Sequence, residues 1–238
     1  MRPGFALATL LCLAFTAGCG DDQGEPGSSP RANAAPTTLV AALGDSITAG
    51  TPLWDPNPAM RDLIGPALDR ESQYEYWAER KLGGGSRRVR FRNCGVNRQR
   101  TDEIAARLDR CTRGAQALIV QGGINDIAQG RPVEEAAANL RAMVRRGKRK
   151  RLRVALVEVL PWTAGYPDAA GPIRALNRRI AAIGRDEGVP VFRWFRALEA
   201  DDGRDRMRPE LTIDGSHPSV EGYRRLGQTI ELPPAEAR

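Results

Sequence analysis

Short runs rich in apolar residues recur along the chain, and each is followed by a segment with helical spacing of its apolar residues. The runs at 39–43, 89–94, 117–120, 154–160 and 189–195 are too short for helices and predict strands. Residues 73–82, 101–108, 133–144, 172–187 and 219–230 predict helices between and after them. Strand and helix alternating over one stretch argue for a mostly parallel sheet with helices on both faces and right-handed crossovers. No internal repeat and no second domain is visible.

Two segments break the alternation. Residues 51–70 are proline-rich and carry Trp54 and Met60, which predicts a loop or lid after the first strand. Residues 145–153 hold seven basic side chains in nine. They suit the C-terminal end of a helix, with Gly147 as its cap. Attraction to an anionic envelope surface is the alternative reading.

The amino end has a different layout. Arg2 is followed by an apolar stretch from Phe5 to Phe15 and then by Thr16-Ala17-Gly18-Cys19, the three-part plan of a secretory signal. Small residues before a cysteine resemble a bacterial lipoprotein cleavage site, although Thr16 stands where leucine is usual. The expectation is a signal peptide over 1–18 and lipidation of Cys19. A polar, breaker-rich tether then runs over 19–37, the folded domain over 38–232 and a tail over 233–238. Ordinary cleavage nearby, with Cys19 unmodified, is the alternative. This predicts an exported protein, lipid-anchored in a bacterial cell envelope and facing the periplasm or exterior.

Composition changes this picture little. The chain has 238 residues, 41% hydrophobic and 27% charged, as in ordinary soluble domains. Its formal charge of +7 comes with 29 acidic residues interspersed, which argues against a nucleic-acid partner. Of the four cysteines, Cys12 leaves with the signal and Cys19 carries lipid. Cys94 and Cys111 can then pair in an oxidising compartment, closing a loop of about 17 residues and contributing ~3 kcal/mol. Two buried thiols are the alternative.

The chemistry begins with the only histidine, His217. A serine hydroxyl needs a positioned base to act as nucleophile, and one histidine excludes the usual multi-histidine zinc site, so no metal or cofactor is expected. Asp214, three residues upstream in Asp214-Gly215-Ser216-His217-Pro218, can reach the imidazole nitrogen facing away from serine. Ser46, in Gly44-Asp45-Ser46, follows the first strand and opens a helical turn, where its backbone N–H is available to developing negative charge. Gly44 is read as the residue that lets the chain turn off the strand. After the third strand, Gly123-Ile124-Asn125-Asp126 offers an asparagine amide as an oxyanion donor, a role whose loss typically costs about 10²–10³ in turnover.

Together these blocks resemble the SGNH (GDSL-type) hydrolase family, in the family's order and over about residues 38–232. The resemblance implies a single-domain three-layer α/β/α sandwich with a mostly parallel five-stranded sheet, flavodoxin-like in plan. It also implies Ser46 as nucleophile, His217 as base, Asp214 as its orienter, and Asn125 with the Ser46 N–H as oxyanion donors. The second block, Asn93-Cys94-Gly95-Val96-Asn97-Arg98, departs from the family. Where many members carry a donor glycine this chain has Arg98, whose backbone N–H is the remaining donor and whose side chain is a candidate substrate contact. A backbone angle suited to glycine would cost arginine about 1 kcal/mol or more. Gly95 is read as serving the turn.

The expected function is therefore an exported carboxylic ester hydrolase acting on a small-molecule, lipid or acylated-glycan ester. Trp54, Trp162 and Tyr166 are candidate pocket residues, with core packing as the alternative for each. A non-catalytic, envelope glycan- or lipid-binding lipoprotein on the same fold is the competing reading, for which Arg98 is the main support.

Overall fold

The structure, a computed structural model, describes residues 37–83, 88–162 and 167–232; the signal segment, Cys19, the tether, Tyr166 and the tail lie outside them. Five parallel strands form one sheet: β1 (Thr37–Gly44), β2 (Arg88–Gly95), β3 (Ala117–Val120), β4 (Arg153–Val157) and β5 (Val191–Phe192). Their order is β2-β1-β3-β4-β5, all pairs parallel. The chain winds one way from β1 to β2 and the other way from β3 onward. A crevice therefore opens between the carboxyl ends of β1 and β3, the place where sheets of this kind bind ligands.

The helices are α1 (Ser46–Ala49), α2 (Pro58–Ile64), α3 (Tyr74–Leu82), α4 (Thr101–Ala106), α5 (Leu108–Cys111), α6 (Ile124–Ala128), α7 (Val133–Arg149), α8 (Ala170–Glu187), α9 (Trp194–Leu198) and α10 (Val220–Thr229). Alternate residues of each strand feed two cores. Leu43, Leu118, Val120, Val154 and Leu156 pack with Ile104, Leu140, Met143, Leu176 and Ile180 of α4, α7 and α8. Val40, Ala42, Ile119, Ala155 and Val157 pack with Tyr74, Trp194, Tyr223 and Leu226 of α3, α9 and α10. Burial of both strand faces explains why β1, β3 and β4 read as unbroken apolar runs, whereas β2, at the edge of the sheet, carries Arg90 and Arg92 between Val89 and Cys94.

Several boundaries differ from expectation. β4 stops at Val157, and β5 keeps only two residues because Trp194–Leu198 forms α9, burying Trp194 against Tyr74 with ring centroids 4.7 Å apart. The 51–70 segment contains α2, opened by Asn57 accepting from the Ala59 N–H and by Pro58 at the first turn. Gly147 does not cap α7. The helix runs on to Arg149, and Gly147 lies inside it against β3 and β4, where an added Cβ would sit 2.7 Å from Val154 Cγ2 and 3.0 Å from Leu118 Cδ2. The predicted 101–108 helix breaks at Arg107 into α4 and α5. Cys94, late in β2, and Cys111, ending α5, form a disulfide. Among the described residues, no helix is long and apolar enough to cross a membrane.

Candidate active site

At the carboxyl end of β1 the chain turns directly into α1. Asp45 caps this four-residue helix by accepting the Ile47 N–H at 3.0 Å, and Ser46 is its first residue. As first residue, Ser46 has no intrahelical partner for its N–H. Gly44 is required here for space rather than for a turn: a Cβ would fall 2.1 Å from Thr48 Oγ1 and 2.3 Å from Gln121 Oε1. Gln121 Oε1 accepts from the Asp45 N–H at 3.0 Å and from Thr48 Oγ1 at 2.9 Å, tying the end of β3 to the start of α1. Gly95 likewise serves close approach and not a turn, since a Cβ would lie 2.0 Å from the Ala49 nitrogen.

Arg107 completes this frame from behind. Its guanidinium donates to Cys94 O at 2.6 Å, Gly44 O at 2.9 Å and Gln99 Oε1 at 2.7 Å, joining the ends of β1 and β2. Asn93 donates from Nδ2 to Thr48 O at 2.7 Å. Asp45 is fully buried, and that burial pushes its carboxyl up to about 6 against the opposing Ile47 hydrogen bond.

His217 arrives from the other end of the chain on a short loop before α10. Asp214 Oδ1 accepts from the N–H groups of Ser216 at 2.8 Å and His217 at 2.7 Å, closing a tight turn in which Gly215 has φ +80°. Asp214 Oδ2 lies 2.8 Å from His217 Nδ1, and His217 Nε2 lies 3.2 Å from Ser46 Oγ. A carboxylate only accepts, so the proton sits on Nδ1 and the Nε2 lone pair faces the serine hydroxyl. Partial burial of Asp214 works upward on its pKa; the hydrogen bonds from the His217 ring, the His217 N–H and the Ser216 N–H outweigh it and hold the carboxyl below its ordinary range.

Asn125 and Asp126 lie in the first turn of α6. They divide the work. Asp126 is buried and accepts from the Thr101 N–H at 2.9 Å and Thr101 Oγ1 at 2.7 Å, which locks the third block onto the second. Asn125 lines the crevice and uses one amide hydrogen on Gln99 O at 3.0 Å, leaving the second for another acceptor. Arg98 lines the same crevice with φ +66°, the left-handed conformation that the missing glycine would accept freely.

Ser46, His217, Asn125, Arg98 and Trp162 thus share one cleft of about 110 Å³. Trp162 Nε1 donates to Ser216 Oγ, linking the cleft wall to the histidine loop. Trp54 is not brought to this cleft; it lies under the Arg61 guanidinium, 4.9 Å from ring to charge, beside α2. Gln121, Arg107 and Asp126 were missed as positioning residues because their partners lie in distant segments, and Asp45 was missed although its partner, the Ile47 N–H, is two residues away. Glu158, just past β4, was missed too. It lines the cleft, accepts the Phe195 N–H at 3.2 Å, and burial raises its pKa.

No curated protein matches the chain. Among solved structures, a protein from Desulfitobacterium hafniense DCB-2 assigned to the lipolytic G-D-S-L family aligns with TM-score 0.65 at 20% identity, covering 81% of this chain and 97% of that one. A GDSL-like lipase from Bacteroides thetaiotaomicron VPI-5482 gives 0.63 at 20%, covering 81% and 85%. The lipase/acylhydrolase from Enterococcus faecalis gives 0.62 at 21%, covering 81% and 92%. At such identities the likeness speaks for the fold. The sequence itself matches the GDSL-like Lipase/Acylhydrolase family over residues 42–225, a span that contains all four blocks converging on the cleft, and the chain therefore belongs to that family of ester hydrolases.

Proposed function

We propose that this chain is an exported serine esterase, lipid-anchored through Cys19, with Ser46 as nucleophile, His217 as general base and Asp214 as the group that orients the imidazole. The observation that carries this reading is the continuous line from Asp214 Oδ2 through His217 to Ser46 Oγ, with links of 2.8 and 3.2 Å. In the reaction, Ser46 Oγ attacks the ester carbonyl while its proton passes to His217 Nε2. The tetrahedral oxyanion is held by the Ser46 N–H, the Asn125 amide and the Arg98 N–H. His217 returns the proton to the departing alcohol, leaving an acyl-Ser46 ester. It then deprotonates a water whose attack releases the carboxylic acid and frees Ser46.

The cleft of about 110 Å³ is smaller than the ~300–1,000 Å³ typical of pockets for drug-sized ligands, which favours a short acyl group. The disulfide supports an oxidising compartment, and hence export under the signal peptide read at 1–18. Substrates of this kind include small esters, lipids and acylated glycans.

The test is hydrolysis of a p-nitrophenyl ester series by protein starting at Gly20, beside Ser46→Ala and His217→Ala. Acetate is expected to be the best substrate, and each variant should lose roughly 10⁴-fold or more in kcat. Activity equal in all three proteins would overturn the assignment. No activity in any of them, with no fluorophosphonate labelling of Ser46, would favour the binding-protein reading.

A further inference from the structure

The two ends of the sheet differ sharply in charge. The cleft occupies the carboxyl ends of the strands. The amino ends are reached through residues 112–116 before β3, 145–153 before β4 and 185–190 before β5, and Arg88 opens β2. Together these hold 10 of the chain's 36 basic residues and only 2 of its 29 acidic ones, so the rest of the chain is close to neutral. The whole formal charge of +7 is in effect collected on one edge.

Local ion pairs do not absorb it. Asp109 pairs with Arg146 and, at 2.8 Å, with Lys150; Glu187 takes Arg145 at 2.8 Å and Asp186 takes Arg141 at 2.7 Å. Arg88, Arg113, Arg149 and Arg151 are exposed and form no ion pair among the described residues. Capping of α7 explains only part of this, since the dipole acts within a single turn. Arg113 and Arg88 belong to other elements. Meanwhile β1 begins at Thr37 on this same edge, so the segment carrying Cys19, eighteen residues upstream, joins the domain there.

We infer that the amino edge of the sheet is a docking surface for an anionic phospholipid bilayer, and that docking turns the cleft away from that bilayer. A cluster of arginines spread over several elements suits a charged plane of headgroups; it has no recognition helix or aromatic platform for nucleic acid among its residues. An eight-residue strand rises about 3.3 Å per residue, which sets the cleft ~25 Å above the docked edge. Resting on the esterase reading above, this places the substrate on the aqueous side, as a soluble or polymer-borne ester, and out of the anchoring leaflet.

The experiment uses the unlipidated chain from Gly20 and co-sedimentation with vesicles of phosphatidylcholine, with or without phosphatidylglycerol. Binding should require phosphatidylglycerol and weaken at least about 10-fold as ionic strength rises from about 0.05 M to 0.5 M. Arg113→Gln/Arg149→Gln/Arg151→Asn should lower affinity by about 10-fold or more, the last change keeping a residue tolerant of the +60° φ at 151. Arg178→Gln/Arg196→Gln/Arg204→Gln, removing as much charge elsewhere, should not. Arg88→Gln/Arg149→Gln is the second variant should the first fail to fold. Hydrogen exchange on docking should slow amides at 112–116 and 150–152 and leave 212–218 unchanged.

Equal binding to neutral vesicles, an equal loss in the control variant, tighter binding to duplex DNA than to vesicles, or protection at 212–218 would each overturn the inference. None of these readouts involves ester turnover, so failure of the esterase reading is separately visible.

Discussion

Ser46 and His217 are held in place by opposite means. Ser46 is 5% exposed and sits in a frame built from three distant segments: Gln121 after β3, Asn93 and Gly95 of β2, and Arg107 between α4 and α5. His217 and Asp214 have side chains 24% and 45% exposed, and the turn that holds them is bonded mainly within itself, between Thr212 and His217. One arm is over-determined by packing; the other by a few local hydrogen bonds. Packing tolerates no added atom but survives loss of a surface charge, whereas a local turn does the reverse. Changes in the buried arm should therefore cost stability and activity together, and changes in the exposed arm should cost activity alone.

The largest expected effect tests the exposed arm. Asp214→Asn keeps an acceptor for the turn but removes the charge that fixes the His217 tautomer, so kcat should fall about 10²–10⁴-fold with little change in Tm. A parallel loss of several degrees in Tm would show that the turn is not self-sufficient. Next comes the buried arm. Gly95→Ala drives a methyl into the backbone of α1 and should cost about 1–3 kcal/mol or more, with reduced kcat because Ser46 moves with the helix. Denaturant unfolding and ester turnover on the same sample would check whether both fall together.

A smaller effect lies in the pH dependence of the buried arm. Asp45 has a folded pKa of about 6 against an ordinary value of 3.8, so the native state holds the proton more tightly than the unfolded chain. Stability from this group is present below about pH 4 and is lost as pH rises through about 6, on the order of 2–3 kcal/mol. Asp45→Asn can still cap α1. Its Tm relative to wild type should therefore climb between pH 4 and pH 7, and a flat difference would mean that Asp45 titrates normally. The smallest effect belongs to Arg98→Gly. It relieves a left-handed arginine but loosens the unfolded chain, for a net gain of about 1 kcal/mol or less, and should leave hydrolysis of a neutral ester intact. Thermal melts resolve the first part and the p-nitrophenyl assay the second.

Much of this organisation was legible along the chain. Every predicted strand overlaps a real one; β1, β3 and β4, buried on both faces, leave an uninterrupted apolar trace that survives without context. The histidine turn was readable because its bonds span three residues. The helix α9 was not, since 189–195 looks like one apolar run and only the demand of Trp194 for space beside Tyr74 bends it out of the sheet. The glycines were misread for a related reason. Gly44 and Gly95 look like turn residues, yet neither takes a positive φ; each leaves room for a backbone or side chain from another segment. Trp54 was placed near the cleft by its sequence position after β1, whereas packing under Arg61 holds it beside α2.

By itself, then, the sequence determined the alternation that makes a parallel sheet, the family, the pairing of Asp214 with His217, and a charge excess concentrated at 145–153. These follow from periodicity, residue chemistry and short separations. Only the tertiary structure decided that Ser46 and His217, 171 residues apart, meet at 3.2 Å, that Arg98 takes the left-handed angle, and that the basic segments gather on the edge opposite the cleft. The physical reason is that strand order and register, set by burying two apolar faces at once, choose which distant segments share an end of the sheet.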